Sequence, residues 1–453
     1  MTIPFTTIDK LYIDGAWVAA GAERDAIINP ATEAVIGHAP VGNAAAAEAA
    51  IAAAREAFDH GVWPRMAMAE RATYLRRMHA ALDARRPQIV ALIVAEVGCA
   101  QGVTHGMQVA NPLDHLLAAL EHSTRDDSVR LPIDITPNPF DPDGPRKMGG
   151  TTVVREPVGV VAGITGYNFP KGVLNVITGG PEVGTMLTSD PRVDLVSFTG
   201  SEGVGAAIMA QAAPTLKRVH LELGGKSALI LRHDADVARA AAMAVAVLSV
   251  NAGQGCALLT RLVVHNSIRK AFVETACAVA SQFKIGDPAD PSVAMGPLIR
   301  ESQRSKVENL IAIGRDEGAK IVHGGGRPAG LDKGFFTDIT IFDDVDNSMT
   351  IAQEEVFGPV GCIIGFDTDE EAVRIANDSR YGLNGGVETA DAAKGYEMAL
   401  QIRSGSVMLN GGTGRMSYAP IGGYKRSGVG REYGPDWLHE YQNQKSIFYP
   451  LGI

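Results

Sequence analysis

Leu11-Tyr12-Ile13-Asp14-Gly15-Ala16-Trp17-Val18 alternates in hydropathy about an Asp-Gly pair, the pattern of a β-hairpin. Asn29-Pro30-Ala31-Thr32 reads as a turn. From Asn43 the period lengthens. An Ala-rich run to Phe58, with Glu48, Arg55 and Glu56 marking a solvent stripe, predicts a helix. Two more helices are expected from about Ala67 to Asp83 and from Arg85 to Val97. Between Pro132 and Gly150 the prolines at 137, 139, 142 and 145, with Gly144, Gly149 and Gly150, cannot continue a helix and are consistent with a surface loop.

Val158 to Ile164 is a continuous apolar run of the kind buried in parallel sheets. Gly172 to Ile177 predicts a second strand and Asp194 to Thr199 a third. The third runs straight into Gly200-Ser201-Glu202-Gly203-Val204-Gly205 and then a helical stretch from Ala206. A strand, a glycine turn and a helix in that order bring backbone N–H groups and a helix N-terminus to a pyrophosphate. A glycine-rich turn alone is more commonly only structural. Further on, Ala240 to Val250 is small and apolar enough for a buried helix, and Arg261 to His265 reads as a strand. Ala271 to Phe283 and Gln303 to Gly318 follow as helices, then Ala319 to His323 as a strand. Strands interleaved with helices predict an α/β protein.

Composition narrows the classes. At 453 residues the chain is long enough for two or three domains. A net charge of −10 with both signs interspersed gives no electrostatic footprint for nucleic acid. The opening Met1-Thr2-Ile3-Pro4-Phe5 lacks the basic and apolar regions of a secretory signal. The apolar run at 240–250 is far short of the roughly 20 residues a membrane helix needs. Four scattered cysteines, at 99, 256, 277 and 362, form no C-x-x-C pair, which argues against structural zinc, a disulfide framework or any metal site. A reducing cytoplasm fits.

The candidate chemistry lies between Leu221 and Cys256. Glu222-Leu223-Gly224-Gly225-Lys226-Ser227 offers one carboxylate beside two glycines, and Gly253-Gln254-Gly255-Cys256 one thiol in a glycine-flanked turn. A thiolate is a strong nucleophile and a good leaving group, and a partly buried carboxylate can deprotonate water. Together they suit formation and hydrolysis of a thioester. A lone cysteine is more often core than catalyst, and Glu222 could simply pair with Lys226 at i,i+4 spacing. The residues alone leave both readings open.

The two motifs together resemble the signature of the aldehyde dehydrogenase superfamily, E-L-G-G-K-S followed some thirty residues later by G-Q-x-C. Similar correspondences run through the hairpin at Ile13, the turn at Asn29, Ala54 to Phe58, Trp63, Glu70 to Ala72, and Met295 to Ile299. They continue through Glu354-Glu355-Val356-Phe357-Gly358-Pro359, Ser404 to Asn410, Pro420 to Gly428 (with Ile421 where phenylalanine is usual) and Gly430-Arg431-Glu432. The resemblance implies a Rossmann-like cofactor domain (1–128 and 151–224), an α/β catalytic domain (225–432) and a β-ribbon oligomerisation arm (129–150 and 433–453). The final strand, Ser446 to Tyr449, would then meet a neighbour's sheet in a homodimer or homotetramer.

By the same resemblance the cofactor is NAD or NADP and the substrate an aldehyde. Cys256 is the nucleophile and Glu222 the general base. Asn168 and the backbone N–H of Cys256 hold the oxyanion, and Glu432 can relay protons to solvent. Thr165, Gly166, Tyr167, Gly180, Gly200, Ser201, Gly205, Leu223 and Gly224 would contact the dinucleotide, with Glu355 on the nicotinamide ribose and Phe357 against the ring. Gly255 and Ala257 leave room beside the thiol but name no substrate. A coenzyme A-acylating relative commonly lacks the base, so Glu222 favours hydrolysis. From a different class, a catalytically idle structural or binding relative is the other reading.

One stretch departs from the pattern. Parallel neighbours need a crossover of a dozen or more residues, and only eight separate Ile164 from Val173. About forty residues, the size of one β-α-β-α unit, are absent between Pro170 and Lys171. With them goes the turn that holds the adenosine ribose in the family. Either the protein lacks the unit or the chain as written omits it. Omission is the expectation, because the rest follows the pattern, and a Cα separation at that joint well beyond about 3.8 Å is its test.

Overall fold

The computed structural model describes residues 9–124, 128–136, 140, 143–144, 146–165, 175–412 and 418–451. The fold is α/β. One sheet runs Gly428–Val429, Arg218–Glu222, Leu195–Thr199, Val161–Ile164, the last three mutually parallel and the first antiparallel to its neighbour. A seven-stranded sheet runs Lys320–His323, Thr340–Asp343, Val360–Phe366, Leu259–His265, Ser227–Leu231, Asn384–Glu388, Ser406–Leu409, parallel after its first pair. Ser227–Leu231, Ser-Ala-Leu-Ile-Leu, is buried at every position, as a central parallel strand covered on both faces must be. Val237–Ser249 packs one such face through Ala240, Ala241, Ala244, Val245 and Leu248, and Asp236 caps it by accepting from the Arg239 N–H.

The hairpin forms as its pattern requires, Ile13 pairing with Ala16 across Asp14 and Gly15, both at positive φ. The first helix spans Ala44–Asp59, with the Asn43 side chain accepting from the Ala46 N–H, and Met68–Asp83 and Arg86–Val97 follow. Gly98 ends the last of these at φ 76°. The Pro/Gly stretch enters a ribbon in which Lys147–Pro157 pairs with Gln442–Pro450 of the same chain, from Pro157↔Gln442 to Gly149↔Pro450.

Two expectations need correction. No strand covers 175–177. Val176 makes only an isolated bridge to Tyr12, and 172–174 lie outside the described residues. In place of a strand, the helix Pro181–Ser189 supplies the crossover from Val161–Ile164 to Leu195–Thr199. The run from Val158 yields only the four-residue strand Val161–Ile164. Among the described residues that strand is the sheet's edge, with no further strand paired on its far side and Val161 39% exposed. The joint at Pro170–Lys171 also lies outside the described residues. Sequence reading placed nothing between Gln101 and Ser123, where a widened π-helical stretch, Thr104–Ala110, runs into the helix Asn111–Ser123. Asn111-Pro112 looks like a break, yet the helix continues from the π-helical stretch straight through Pro112.

Candidate active site

Glu222 ends the strand Arg218–Glu222, and the chain crosses through Leu223-Gly224-Gly225-Lys226 into Ser227–Leu231 of the larger sheet. This crossing loop is held from several sides. The Leu223 N–H donates to the Ser427 carbonyl, and the buried Ser427 hydroxyl donates to the Gly224 carbonyl at 2.7 Å while accepting from the Gly382 N–H at 3.0 Å. Lys226 is buried, and desolvation holds its ammonium below the usual lysine range.

The thiol arrives on a strained turn. After Val237–Ser249, Asn251 (φ 48°), Ala252 (φ 53°) and Gly253 (φ 73°) are all left-handed, two of them non-glycine. Reciprocal hydrogen bonds hold the turn: Asn251 Nδ2 donates to the Gln254 carbonyl at 3.2 Å and Gln254 Nε2 to the Asn251 carbonyl at 3.0 Å. Gln254 Oε1 accepts from the Ile299 N–H, and Asn384 Nδ2 donates to the Ala257 carbonyl. These contacts give the glutamine of the motif a mechanical role.

Loop and turn touch. A Cβ on Gly225 would lie 2.3 Å from the Cys256 carbonyl oxygen, and one on Gly224 would lie 2.4 Å from Glu355 Oε2. Only glycine permits this approach. The Gly225 N–H donates to Glu355 Oε1 at 3.0 Å. Cys256 keeps some solvent exposure. Burial pushes its thiol up to about 12, the Glu222 and Glu355 charges add to the rise, and the backbone N–H groups of Cys256 and Ala257 oppose it. Burial likewise raises the Glu355 carboxyl, opposed chiefly by the Gly225 N–H.

The cofactor side follows from strand direction. Thr165, Gly200 with Ser201, and Glu222 with Leu223 and Gly224 all stand at the carboxyl ends of the three parallel strands, where open α/β sheets bind ligands. Ser201 caps Glu202–Ala212 by accepting from the Val204 N–H, and Leu223 fills the space a Cβ on Gly205 would need. Gly180 caps Pro181–Ser189 through its backbone. Helix N-termini beyond the strand ends, with the Glu355 carboxylate held at the Gly224-Gly225 loop, fit a dinucleotide. Arg380 ties the sides together, bidentate to Glu354 at 2.8 and 2.7 Å and through Nε to Glu202 at 3.1 Å. Gln303 donates to the Val356 and Phe357 carbonyls, and Phe357 itself is at φ 56°.

Cys256, Glu222, Glu355 and Gly224 are thus brought together. Gly166, Tyr167 and Asn168 lie outside the described residues. Glu432 is fixed by paired backbone hydrogen bonds to Ile421, and its charge acts on Tyr433 and Tyr441. Sequence reasoning missed Tyr433, at φ 59°, whose hydroxyl is raised chiefly by burial and also feels Glu432, Glu222 and Cys256. Its ring lies 4.2 Å from that of His115 on Asn111–Ser123. Adjacency to Glu432 was its only signal. Ser427 and Arg380 were missed too, the first inside a quoted motif and the second in none. Among the described residues no group of three or more His, Cys, Asp or Glu could hold a metal, and no helix is long and apolar enough to cross a membrane.

An α/β architecture with a thiol and a carboxylate meeting at one glycine loop, beside the carboxyl ends of parallel strands, points to a class of enzymes. Comparison with known proteins names it. The model of the aldehyde dehydrogenase family matches residues 17–171 and 169–447, and the chain belongs to that family. It is 37% identical to a 3-succinoylsemialdehyde-pyridine dehydrogenase of a Pseudomonas species, over 97% of this chain and 98% of the relative. It is 36% identical to aminoaldehyde dehydrogenase 2 of Zea mays, over 96% and 94%. A crystal structure of Mycobacterium tuberculosis aldehyde dehydrogenase complexed with NAD+ superposes with a TM-score of 0.91 at 38% identity, covering 99% of each chain. The two matched stretches of the family model meet at the joint after Pro170. The Pseudomonas alignment spans 484 residues but takes in 97% of 453, about 439, so on the order of 45 positions of the relative stand opposite nothing here.

Proposed function

We propose that this chain oxidises an aldehyde to a carboxylic acid with NAD+, through a thioester on Cys256 that water hydrolyses. The observation that carries the reading is the close approach at Gly225, which puts the Cys256 turn, the Glu222 strand end and the Glu355 carboxylate around one loop. Cys256 loses its thiol proton to solvent and attacks as the thiolate, Sγ bonding to the aldehyde carbon while the carbonyl electron pair moves to oxygen. The oxyanion is held by the Cys256 N–H and, by its place in the motif, the Asn168 amide. Such a donor contributes on the order of 100- to 1000-fold in rate. When bound, oxidised nicotinamide would supply the acceptor for the hydrogen that leaves this carbon with its electron pair. Gly200, Ser201, Gly205 and Gly224 would hold the pyrophosphate, Glu355 would accept from the ribose hydroxyls, and Phe357 would pack against the ring. Glu222 then takes a proton from water as the water oxygen attacks the acyl carbon, and sulfur leaves. Its carboxylate is buried at the strand end, which suits a base.

Cys256→Ala should abolish NADH formation and leave nucleotide binding intact. Glu222→Gln should keep a first-turnover burst while steady-state turnover falls at least about 100-fold, read by rapid mixing. Equal loss of burst and turnover in the Glu222 variant counts against the base. Coenzyme A should not accelerate turnover. Cytoplasmic residence, and assembly as a homodimer or homotetramer through the 442–450 ribbon, complete the proposal. Phe448, 77% exposed, and Ile447 stand on its surface, an apolar edge of the kind a second copy covers.

A further inference from the structure

The strand that ends in Glu222 carries a second buried titratable group. His220 is 1% exposed and precedes Glu222 by two residues, so both side chains leave the same face, about 6.6 Å apart along the strand. Arg218 shares that face and is exposed. Val219 and Leu221 point the other way, into the apolar cluster with Ile208 and Ile51. The face is therefore a polar file from solvent to the general base.

The surroundings of His220 are built for its ring. Gly430, next to the paired residue Val429, lies against it at φ 92°, and a Cβ there would meet His220 Cδ2 at 2.2 Å. On the neighbouring strand Ser197 is the register partner of His220, and the Tyr441 hydroxyl hydrogen-bonds Ser197 Oγ at 3.3 Å. The Tyr441 ring lies 6.3 Å from the imidazole. The charged groups carried nearby are Arg218 and Glu222 on its own strand, Glu440 next in sequence to Tyr441, and Arg431 and Glu432 following Gly430. Arg431 is turned to the Gly423 and Gly430 carbonyls. Outward, the Arg218 guanidinium donates to the Gln442 carbonyl and Asn443 Oδ1, in an open groove that Glu440 and His439 also line.

We propose that His220 carries the proton of hydrolysis from Glu222 toward this groove, acting through Glu222 and touching neither substrate nor cofactor. The inference rests on Glu222 as base. When water adds, its O–H bond breaks, the oxygen bonds to the acyl carbon and the proton goes to the Glu222 carboxylate. The C–S electron pair returns to sulfur. Glu222 passes its proton to one imidazole nitrogen, directly or through one water. The other nitrogen releases its own proton toward the groove, so one proton leaves per acid formed and both residues reset.

The test uses the full chain with propanal and NAD+ in rapid-mixing and acid-quench mass measurements, with His220→Gln and His220→Phe beside wild type and Glu222→Gln. Expected are an unchanged NADH burst, turnover lowered about 10-fold or more, acyl group accumulating on Cys256, and a turnover–pH profile that loses an ionisation and recovers with imidazole buffer. If His220→Phe does not fold, His220→Gln decides. Wild-type turnover and pH profile in His220→Gln overturn the proposal, as does a burst falling in parallel with turnover, the mark of a merely structural role. If Glu222→Gln itself fails to accumulate acyl-enzyme, the base assignment has failed instead, whatever the histidine variants show.

Discussion

At the scale of single residues the thiol is the informative case. A group pushed up to about 12 is protonated at neutral pH, so Cys256 waits in its unreactive form with two carboxylates nearby. The cause dictates a pH dependence: the thiolate fraction, and with it alkylation, should keep rising with pH through 10. Iodoacetamide labelling of the Cys256 peptide, followed by mass spectrometry, should show no plateau below pH 9. A bound cationic ring counters Glu222 and Glu355, so NAD+ should speed labelling at pH 8. A plateau near pH 7 without nucleotide contradicts this picture. Cys256, Glu222 and Glu355 were legible because their neighbours in sequence are unusual. His220, Tyr433 and Arg380 were not, since their roles come from what the strand pairings and the Asn111–Ser123 helix bring beside them.

At the scale of elements the site depends on two short connections. The turn after Val237–Ser249 accepts two left-handed non-glycine residues because Gln254 and Asn251 bind each other's backbone, and Gly253 completes it where its Cα abuts Gly358. Gly253→Ala would place a Cβ 2.1 Å from the Gly358 carbonyl carbon at φ 73°. The backbone conformation alone costs on the order of 1–3 kcal/mol. The variant should lose turnover far more than nucleotide affinity, measured by steady-state assay and fluorescence titration. Ser427→Ala leaves the Gly224 carbonyl and Gly382 N–H without their shared hydroxyl, a loss of about 1–3 kcal/mol readable in urea unfolding. Helices and hairpin were readable because periodicity and caps act locally. The strand expected at 172–177 was not, because a strand exists only if a neighbour pairs with it, and here Val176 meets only Tyr12.

For the whole molecule the decisive feature is where the cofactor sheet stops. Among the described residues Val161–Ile164 is its edge, and the apolar cluster behind it holds nine buried residues against forty-three in the cluster around the seven-stranded sheet. On the order of 45 positions of the Pseudomonas relative have no counterpart in this chain, and the two stretches that the family model matches meet at the joint that follows this strand. Under the proposed reading, Gly200, Ser201, Gly224 and Glu355 serve the pyrophosphate and nicotinamide. If the protein itself lacks the unit absent between Pro170 and Lys171, it also lacks the turn that holds the adenosine ribose in the family. Contacts to the adenosine half should then add little, and nothing should distinguish a 2′-hydroxyl from a 2′-phosphate. We expect NAD+ and NADP+ to bind within about 10-fold of each other, and NAD+ no more than about 10-fold tighter than nicotinamide mononucleotide, a difference of about 1.4 kcal/mol. Titration of the protein's tryptophan fluorescence with the three ligands measures both ratios. A preference beyond 100-fold for either dinucleotide would mean that another part of the chain reads the ribose, and the exposed rim around Val161 and Thr165 is where to look for it.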